Sequence, residues 1–286
     1  MGNVSSLSRW SSQMATPNLG DMPESFIAQV FTYLQPHEIC KLAMVNRTFR
    51  DASLSDFIWK KKLPANYRYL RRLITTEDES GAIWMKDLYA TLCSPNRFDN
   101  GNKEVWIERS SGGLCMAISS RALKIAGFRD RRLWDLIHTE ESRFKTVAYL
   151  RKAWWVEVGG ELEFRFAVGT YSVFFKVRLG RCSTIRGNSS AAKEDRINGW
   201  DVKPVRFELS SNCGRSSVSQ CFLKNQRKWA YYHVGDFVVD EPHKDTVIRY
   251  SLSQIDCTHT KGGLCIDSVF VYPRGFHLHS ELGLLL

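Results

Sequence analysis

Between residues 23 and 64 the apolar positions recur every three or four residues. Phe26, Ile27, Val30, Phe31 and Leu34 form one broad stripe, which predicts a helix with Pro23 in its first turn and Asp21 as a capping group. Pro36 breaks that helix and opens a second one, with Ile39, Leu42, Ala43 and Val45 turned inward. A third short helix is predicted around Phe49, and a fourth across Phe57, Ile58 and Trp59 before Pro64 stops it. Four such helices enclose a very small core. A unit of that size is marginal unless a partner or a following domain covers its remaining apolar surface. The stretch from Ile83 to Leu92 reads as one more helix, and SPNRFDNGNK at 94–103, rich in turn formers, reads as a boundary.

Beyond that boundary the period falls from 3.6 to 2. Tyr171, Val173, Phe175, Val177 and Leu179 alternate with Ser172, Phe174, Lys176 and Arg178. The runs Val205–Phe207–Leu209 and Ile248–Tyr250–Leu252 alternate in the same way, and Leu264, Ile266 and Phe270 do so less strictly. Many short strands without intervening helices predict an antiparallel β-sandwich rather than a parallel sheet. The fold class is therefore α+β and multidomain. A Ser-rich disordered leader covers 1–18, an all-α module 19–65, a helical linker region 66–103, a sandwich 104–275 and a tail 276–286.

Composition adds less. Nine Trp residues suit a β-rich protein that buries large rings or shows some of them to a ligand. The net charge of +10 raises the question of nucleic acid. Residues 1–95 hold 11 Lys/Arg against 9 Asp/Glu and the remainder 29 against 21, so the excess is spread out; even Arg129, Arg131 and Arg132 are interrupted by Asp130. That pattern describes a solvated basic face and not a nucleic-acid site. The start, MGNVSSLSRW, lacks the apolar core of a secretory signal, and no stretch approaches a membrane span. The expected compartment is the cytoplasm, the nucleus or both, with the eight cysteines as reduced thiols. MGNVSS fits the N-myristoylation pattern with Gly2 as acceptor and Ser6 in place. One acyl chain with Arg9 as its sole basic neighbour gives at most weak membrane contact.

Chemistry-bearing motifs are sparse. Cys257, His259 and Cys265 lack a second ligand pair at zinc-finger spacing, HEICK at 37–41 has no second His of a zincin, and there is no G-x-S-x-G elbow or phosphate loop. No metal, cofactor or catalytic residue is predicted.

LGDMPESFIAQVFTYLQPHEICKLAMVNRTFR, followed by FIWKKKLP, resembles an F-box over its whole length. Pro23, Val30, Leu34, Pro36, Ile39, Leu42, Val45, Phe49 and Trp59 occupy its pattern positions. Met22, Asn46 and Phe49 depart from the usual Leu, Cys and Trp without a large change of volume. The resemblance implies docking on a Skp-type adaptor of a cullin-RING ligase, through Leu19, Met22, Pro23, Ile27, Val30, Leu34, Pro36, Ile39 and Leu42. So many apolar side chains at a helix start also exceed what so small a core can cover.

The rest of the chain resembles the phloem protein 2 family, whose relatives include the jasmonate-induced tobacco lectin. The resemblance rests on CMAISSRALKI (115–125), ESRFKTVAYLRKAWWVEVGGELEF (141–164), the strand from Tyr171 to Leu179, GWDVKPVRFEL (199–209), HVGDF (233–237) and THTKGGLCIDSVFVYP (258–273). It implies a jelly-roll-like lectin sandwich that binds glycans rich in N-acetylglucosamine or mannose. Lectins of this family stack tryptophans on a pyranose just after the RALKI-type segment. Trp134 falls at one matching position; the other holds Gly127, with Phe128 beside it, and Asp236 in HVGDF is the candidate for an acidic hydroxyl-binding partner near the C-terminal strands. Trp134 is read either as a stacking platform or as a packed ring, and Asp236 either as a ligand group or as a solvated turn carboxylate. Trp154, Trp155 and Trp200 are read as strand-core rings.

Together the two resemblances imply a non-catalytic, substrate-recognising subunit of an SCF-type (Skp–cullin–F-box) ubiquitin ligase, with a glycoprotein or another protein as target. Two alternatives stay open: a lectin whose F-box serves its own regulation, and a sandwich that reads a protein surface instead of a sugar.

Overall fold

The computed structural model describes residues 22–75, 83–109, 111–183, 197–214, 216–224, 227–241 and 244–275. Leu19, Gly2, Asp21, the Ser-rich leader and the tail from 276 lie outside the described residues. The chain divides into two compact units, Met1–Lys62 and Leu63–Leu286.

In the first unit the four expected helices are present: α1 (Glu24–Phe31), α2 (Pro36–Leu42), α3 (Arg47–Ser53) and α4 (Asp56–Lys62). The first three starts have local causes. Pro23 sits at the N-cap of α1, and Pro36 occupies the first turn of α2, where its missing N–H costs nothing. The Gln35 backbone N–H donates to the Glu38 carboxylate at 2.7 Å, and the Phe49 N–H donates to Asn46 Oδ1 at 2.7 Å. Ile27, Ala28, Phe31, Ile39, Phe49, Ala52, Ile58 and Trp59 fill the interior. Phe31 and Phe49 meet edge to face at 5.8 Å, and the Trp59 indole donates to the Ser53 carbonyl at 2.7 Å. Val45, expected inward, lies outward in the turn after α2, because that helix ends at Leu42.

The second unit starts with α5 (Tyr67–Ile74) and α6 (Met85–Leu92). Leu70 is fully buried, Tyr69 packs on Phe164 at 5.1 Å, and the Asn66 amide donates to the Arg165 carbonyl at 2.5 Å. The segment read as a boundary is instead a hairpin of the sandwich. β1 (Asn96–Phe98) pairs antiparallel with β2 (Lys103–Ile107) around Asp99, Asn100 and Gly101, all at positive φ. Asp, Asn and Gly are the residues that tolerate this backbone, so the composition that suggested a boundary is the composition of a tight turn.

The remaining strands are β3 (Leu114–Ser119), β4 (Lys124–Ile125), β5 (Trp134–His138), β6 (Thr146–Leu150), β7 (Val156–Phe164), β8 (Gly169–Leu179), β9 (Val205–Ser211), β10 (Ser216–Cys221), β11 (Ala230–Val239), β12 (Thr246–Gln254) and β13 (Leu264–Pro273). All pairings are antiparallel. One sheet runs β10-β9-β12-β7-β4. The other centres on β13, which pairs β8 along one edge and splits its other edge between two partners. Residues 264–266 pair with β6 and residues 268–271 with β3. Asp267, at the split, is fully buried beside the Lys176 ammonium (2.8 Å) and accepts from the Ser142 hydroxyl.

Alternation does the rest. Tyr171, Val173, Phe175, Val177 and Leu179 all point inward on β8, as do Phe207, Leu209, Ile248, Tyr250 and Leu252 on the facing sheet. A run of rings (Phe164, Phe166, Tyr171, Phe237) holds centroid spacings of 4.8 to 5.5 Å. Each such ring contributes about 1.5–3 kcal/mol on burial.

Candidate functional site

On α1 two apolar stripes lie side by side. Ile27, Ala28 and Phe31 face the interior, while Phe26 and Val30, one turn apart, face outward and are continued by the exposed Met22 and Tyr33 just beyond the two ends of the helix. Phe26 is 58% exposed and Tyr33 80%. Met44, Val45, Leu54 and Phe57, from the ends of the other helices, are also exposed. Of the predicted docking residues, Met22, Pro23 and Val30 are exposed, Leu34, Pro36 and Leu42 are half-buried, and Leu19 lies outside the described residues. Ile27 and Ile39 are core residues, a correction that follows from their place on the inner stripe.

In the sandwich the predicted sugar residues do not come together. Trp134 opens β5, only 2% exposed, with its indole N–H donated to the Ala126 carbonyl at 3.1 Å. Neither ring face is open to a pyranose, so this tryptophan is a packing ring. Gly127 has φ +71°, and a Cβ there would sit 2.8 Å from Leu133 Cδ1. The residue is glycine for its backbone, and a side chain at this position would be strained. Phe128 is half-buried in the same turn. Asp236 is on β11, at the opposite edge of the sheet from β5. With β8, β13 and β6 between them, the two strands are about 19 Å apart at ~4.8 Å per step. Burial works to raise the Asp236 carboxyl, but hydrogen bonds from Ser172 and His233 (2.8 Å) and the charges of His233 and Arg274 outweigh it and hold it below the usual carboxylate range.

Exposed rings occur elsewhere. Trp154 is 56% exposed and Trp155 46%, which overturns their reading as core rings; Trp200 is buried and donates to the Gly262 carbonyl at 2.8 Å. The reason is register. Val156 and Gln254 form the last rung between β7 and β12, so Trp155 and the exposed Ile255 are the next residues past the end of the ladder. Beneath them Lys261 is fully buried. Its ammonium donates to the carbonyls of Trp154 (2.7 Å), Asp256 and His259 (3.2 Å). Burial lowers the affinity of this amine for its proton, with Asp256 and Cys257 acting in the opposite direction.

Three loops are joined at this end. Ala153 bridges Lys261, Asn198 bridges Gly262, and the Gln254 amide donates to the Lys203 carbonyl at 2.6 Å. Gly199, at φ +82°, lets the chain pass the Thr260 carbonyl where any Cβ would clash. On the outer face of the five-stranded sheet a groove of about 500 Å³ is lined by Lys124, Glu157, Gly159, Glu161, Arg249 and Ser251. No aromatic side chain lines it. Among the described residues no group of His, Cys, Asp and Glu is arranged to hold a metal ion, and no helix is long and apolar enough to cross a membrane.

Residues 113–273 match the family model of phloem protein 2, and residues 19–64 the F-box-like model. F-box protein PP2-A13 of Arabidopsis thaliana is 51% identical over 257 residues, covering 90% of this chain and 88% of the relative. The chain belongs to the F-box phloem protein 2 family. F-box protein PP2-A12 of the same plant is 47% identical, covering 90% and 88% of the two chains. Among solved structures, the family 35 carbohydrate-binding module of Cellvibrio japonicus Abf62 covers 55% of this chain and 91% of its own at 12% identity. Its TM-score of 0.34 is too low to bear on the ligand.

In this F-box phloem protein 2 chain, sequence reasoning placed Met22 and Val30 of the outer stripe in the docking set but missed Phe26 and Tyr33, and it missed the exposed Trp154–Trp155 pair. The stripe carried a signal, because at about 100° per residue the apolar arc from Phe26 through Val30 and Ile27 to Phe31 is about 140° wide, more than so small a core covers. The indole pair carried none, since a ladder's end is not written in its alternation.

Proposed function

We propose that the chain is the substrate-selecting subunit of an SCF-type ubiquitin ligase. The observation that carries this reading is the outer stripe of Phe26 and Val30 on α1, continued by Met22 and Tyr33 at its ends, while the inner stripe of that helix already fills its own core. A module this small gains nothing from a second apolar face left in water, so the face fits a partner helix bundle of the Skp-type adaptor class. The F-box-like match over 19–64 and the F-box relatives support it. The sandwich then holds a target near the cullin-bound ubiquitin-charged enzyme, and the rate gain comes from proximity. On this reading no acid–base residue of the chain takes part, and the site of action is the cytoplasm or nucleus.

The test is co-expression with a plant Skp-type adaptor. Val30→Asp combined with Phe26→Ala places a charge in the stripe without touching the interior, and adaptor recovery should fall to background while the helical circular dichroism signal is unchanged. Recovery at the parental yield would reject the docking face.

A second reading is a lectin-type capture of the target through its glycans. It is favoured by the exposed Trp154 and Trp155, since solvated indoles are the stacking platforms that sugars use.

A further inference from the structure

We infer that the glycan contact of the sandwich is the loop platform of Trp154 and Trp155, rimmed by Asp201, Lys203, Asp256 and Thr258. The inference rests on the glycan-capture reading and relocates its site. With Trp134 packed away, the ring-stacking surface has to come from solvated aromatics. Among the described residues of the second unit, the large exposed rings are Trp84, Trp154, Trp155 and Phe222. Two of them are consecutive, at one end of the sandwich, on loops tied to one another. Trp84 caps α6, and Phe222 follows the edge strand β10, each without such a framework.

The framework is costly to build, which makes it informative. Burying an ammonium is unfavourable unless its donors are used, and Lys261 has spent them on three backbone carbonyls from the 154–155 and 256–259 loops. No carboxylate within ion-pair distance neutralises it among the described residues. A buried cation that binds only loop backbone fixes where those loops lie. A backbone held in this way leaves only side-chain torsions to be ordered on binding, which suits a weakly held, solvent-competed ligand.

The rim says what kind of ligand. Asp256 is held by the Thr258 N–H (2.8 Å) and hydroxyl (2.6 Å), which puts a carboxylate and a hydroxyl on the loop that Lys261 ties to Trp154. Asp201 and Lys203 are exposed on the neighbouring loop, either side of the exposed Val202. Asp201, Lys203, Asp256 and Thr258, with the exposed Lys152 just before the rings, put carboxylates, ammonium groups and a hydroxyl on these loops, so acceptors and donors occur together. A cation or a phosphate would be opposed by one half of that rim. A pyranose satisfies all of it, with an apolar C–H face for the indoles and hydroxyls that both give and accept hydrogen bonds. The Glu- and Arg-lined groove on the five-stranded sheet lacks any ring and is the weaker candidate.

The experiment is calorimetry of the full chain with N-acetylglucosamine oligomers and with high-mannose glycans, for the parent and five variants. Trp154→Ala and Trp155→Ala should each lower affinity about tenfold, taking the scale from stacking on exposed aromatic platforms. Trp154→Phe should retain most of the binding, and Trp84→Ala all of it. Parental affinity in a Trp154→Ala/Trp155→Ala double variant would overturn the platform while leaving glycan capture intact. A parent that binds neither probe would overturn both. Binding of a glycoprotein that survives enzymatic removal of its glycans, yet is lost in the double variant, would make the platform a protein contact and overturn the sugar assignment.

Discussion

The two units handle apolar surface in opposite ways. In the first, the exposed side chains Phe26, Val30, Tyr33, Met44, Val45, Leu54 and Phe57 rival the buried set in number and size. They sit on regular helices and at helix ends. In the second, two sheets close over one aromatic core, and large exposed apolar side chains are mostly in loops or at strand ends, as at Trp154, Trp155, Val202 and Ile255. A helix of eight residues can turn one face inward and another outward, but a sandwich strand with one covered face has only a single choice of side per residue. Regular structure therefore offers the surface in one unit, and interrupted structure offers it in the other.

The comparison breaks most visibly at Ile27. Ile27→Asp puts an unpaired charge into a core of eight buried residues and should cost about 3–5 kcal/mol, enough to unfold a unit this small. Hydrogen exchange should show residues 24–62 unprotected while β8 and β13 keep their protection. If adaptor binding were lost with protection intact over 24–62, Ile27 would belong to the docking face and the two-stripe description of α1 would fail.

A smaller effect separates two tryptophans of the sandwich. Trp134→Ala removes a buried ring and its bond to Ala126 and should destabilise the second unit by roughly 3 kcal/mol. Trp154→Ala should stay within about 0.5 kcal/mol, because its ring is in water. Thermal denaturation of both variants decides the matter, and equal losses would show that the two rings are packed alike.

The smallest effect is one of pH. Burial would raise the Glu141 carboxyl, but the Ser183 N–H, the Trp229 indole and the Arg178 guanidinium outweigh it and hold it below its ordinary 4.5. A depressed carboxyl contributes stability above the unfolded value and loses it as pH falls through the folded one. Melting temperature measured from pH 6 down to pH 3 should therefore drop less steeply in Glu141→Gln, after allowance for its lower starting stability of about 1 kcal/mol. An identical slope in parent and variant would mean that Glu141 is not bound as described.

Much of this organisation could be read from residue order. Pro23 and Pro36 punctuate the first unit and Pro64 follows its end, and the alternation of residues 171–179 gives the inner face of β8 without further help. What escaped has a common physical origin. Phe26 and Ile27 are adjacent apolar residues about 100° apart on a helix, and hydrophobicity alone does not say which one faces in. Asp99, Asn100 and Gly101 announce a turn, but a turn inside a domain and a turn between domains use the same residues. At Trp134 and Trp155 the same side chain has opposite fates. The first lies inside the β5–β6 ladder with its indole bonded to the Ala126 carbonyl, while the β7–β12 ladder stops one residue short of the second.

The divided edge of β13 also bears on how the chain is made. Its partners β3 and β6 come about 120 to 150 residues earlier, so neither wing of that sheet is joined to β8 until residues 264–273 are available. Contacts that distant in sequence form slowly. On the ribosome the helices up to Lys62, whose contacts are local, can settle while the strands behind them wait with open edges. A chain stalled before Leu264 would expose the inner faces of β3, β6 and β8 together, which is the form in which such a domain is most exposed to aggregation and to chaperones.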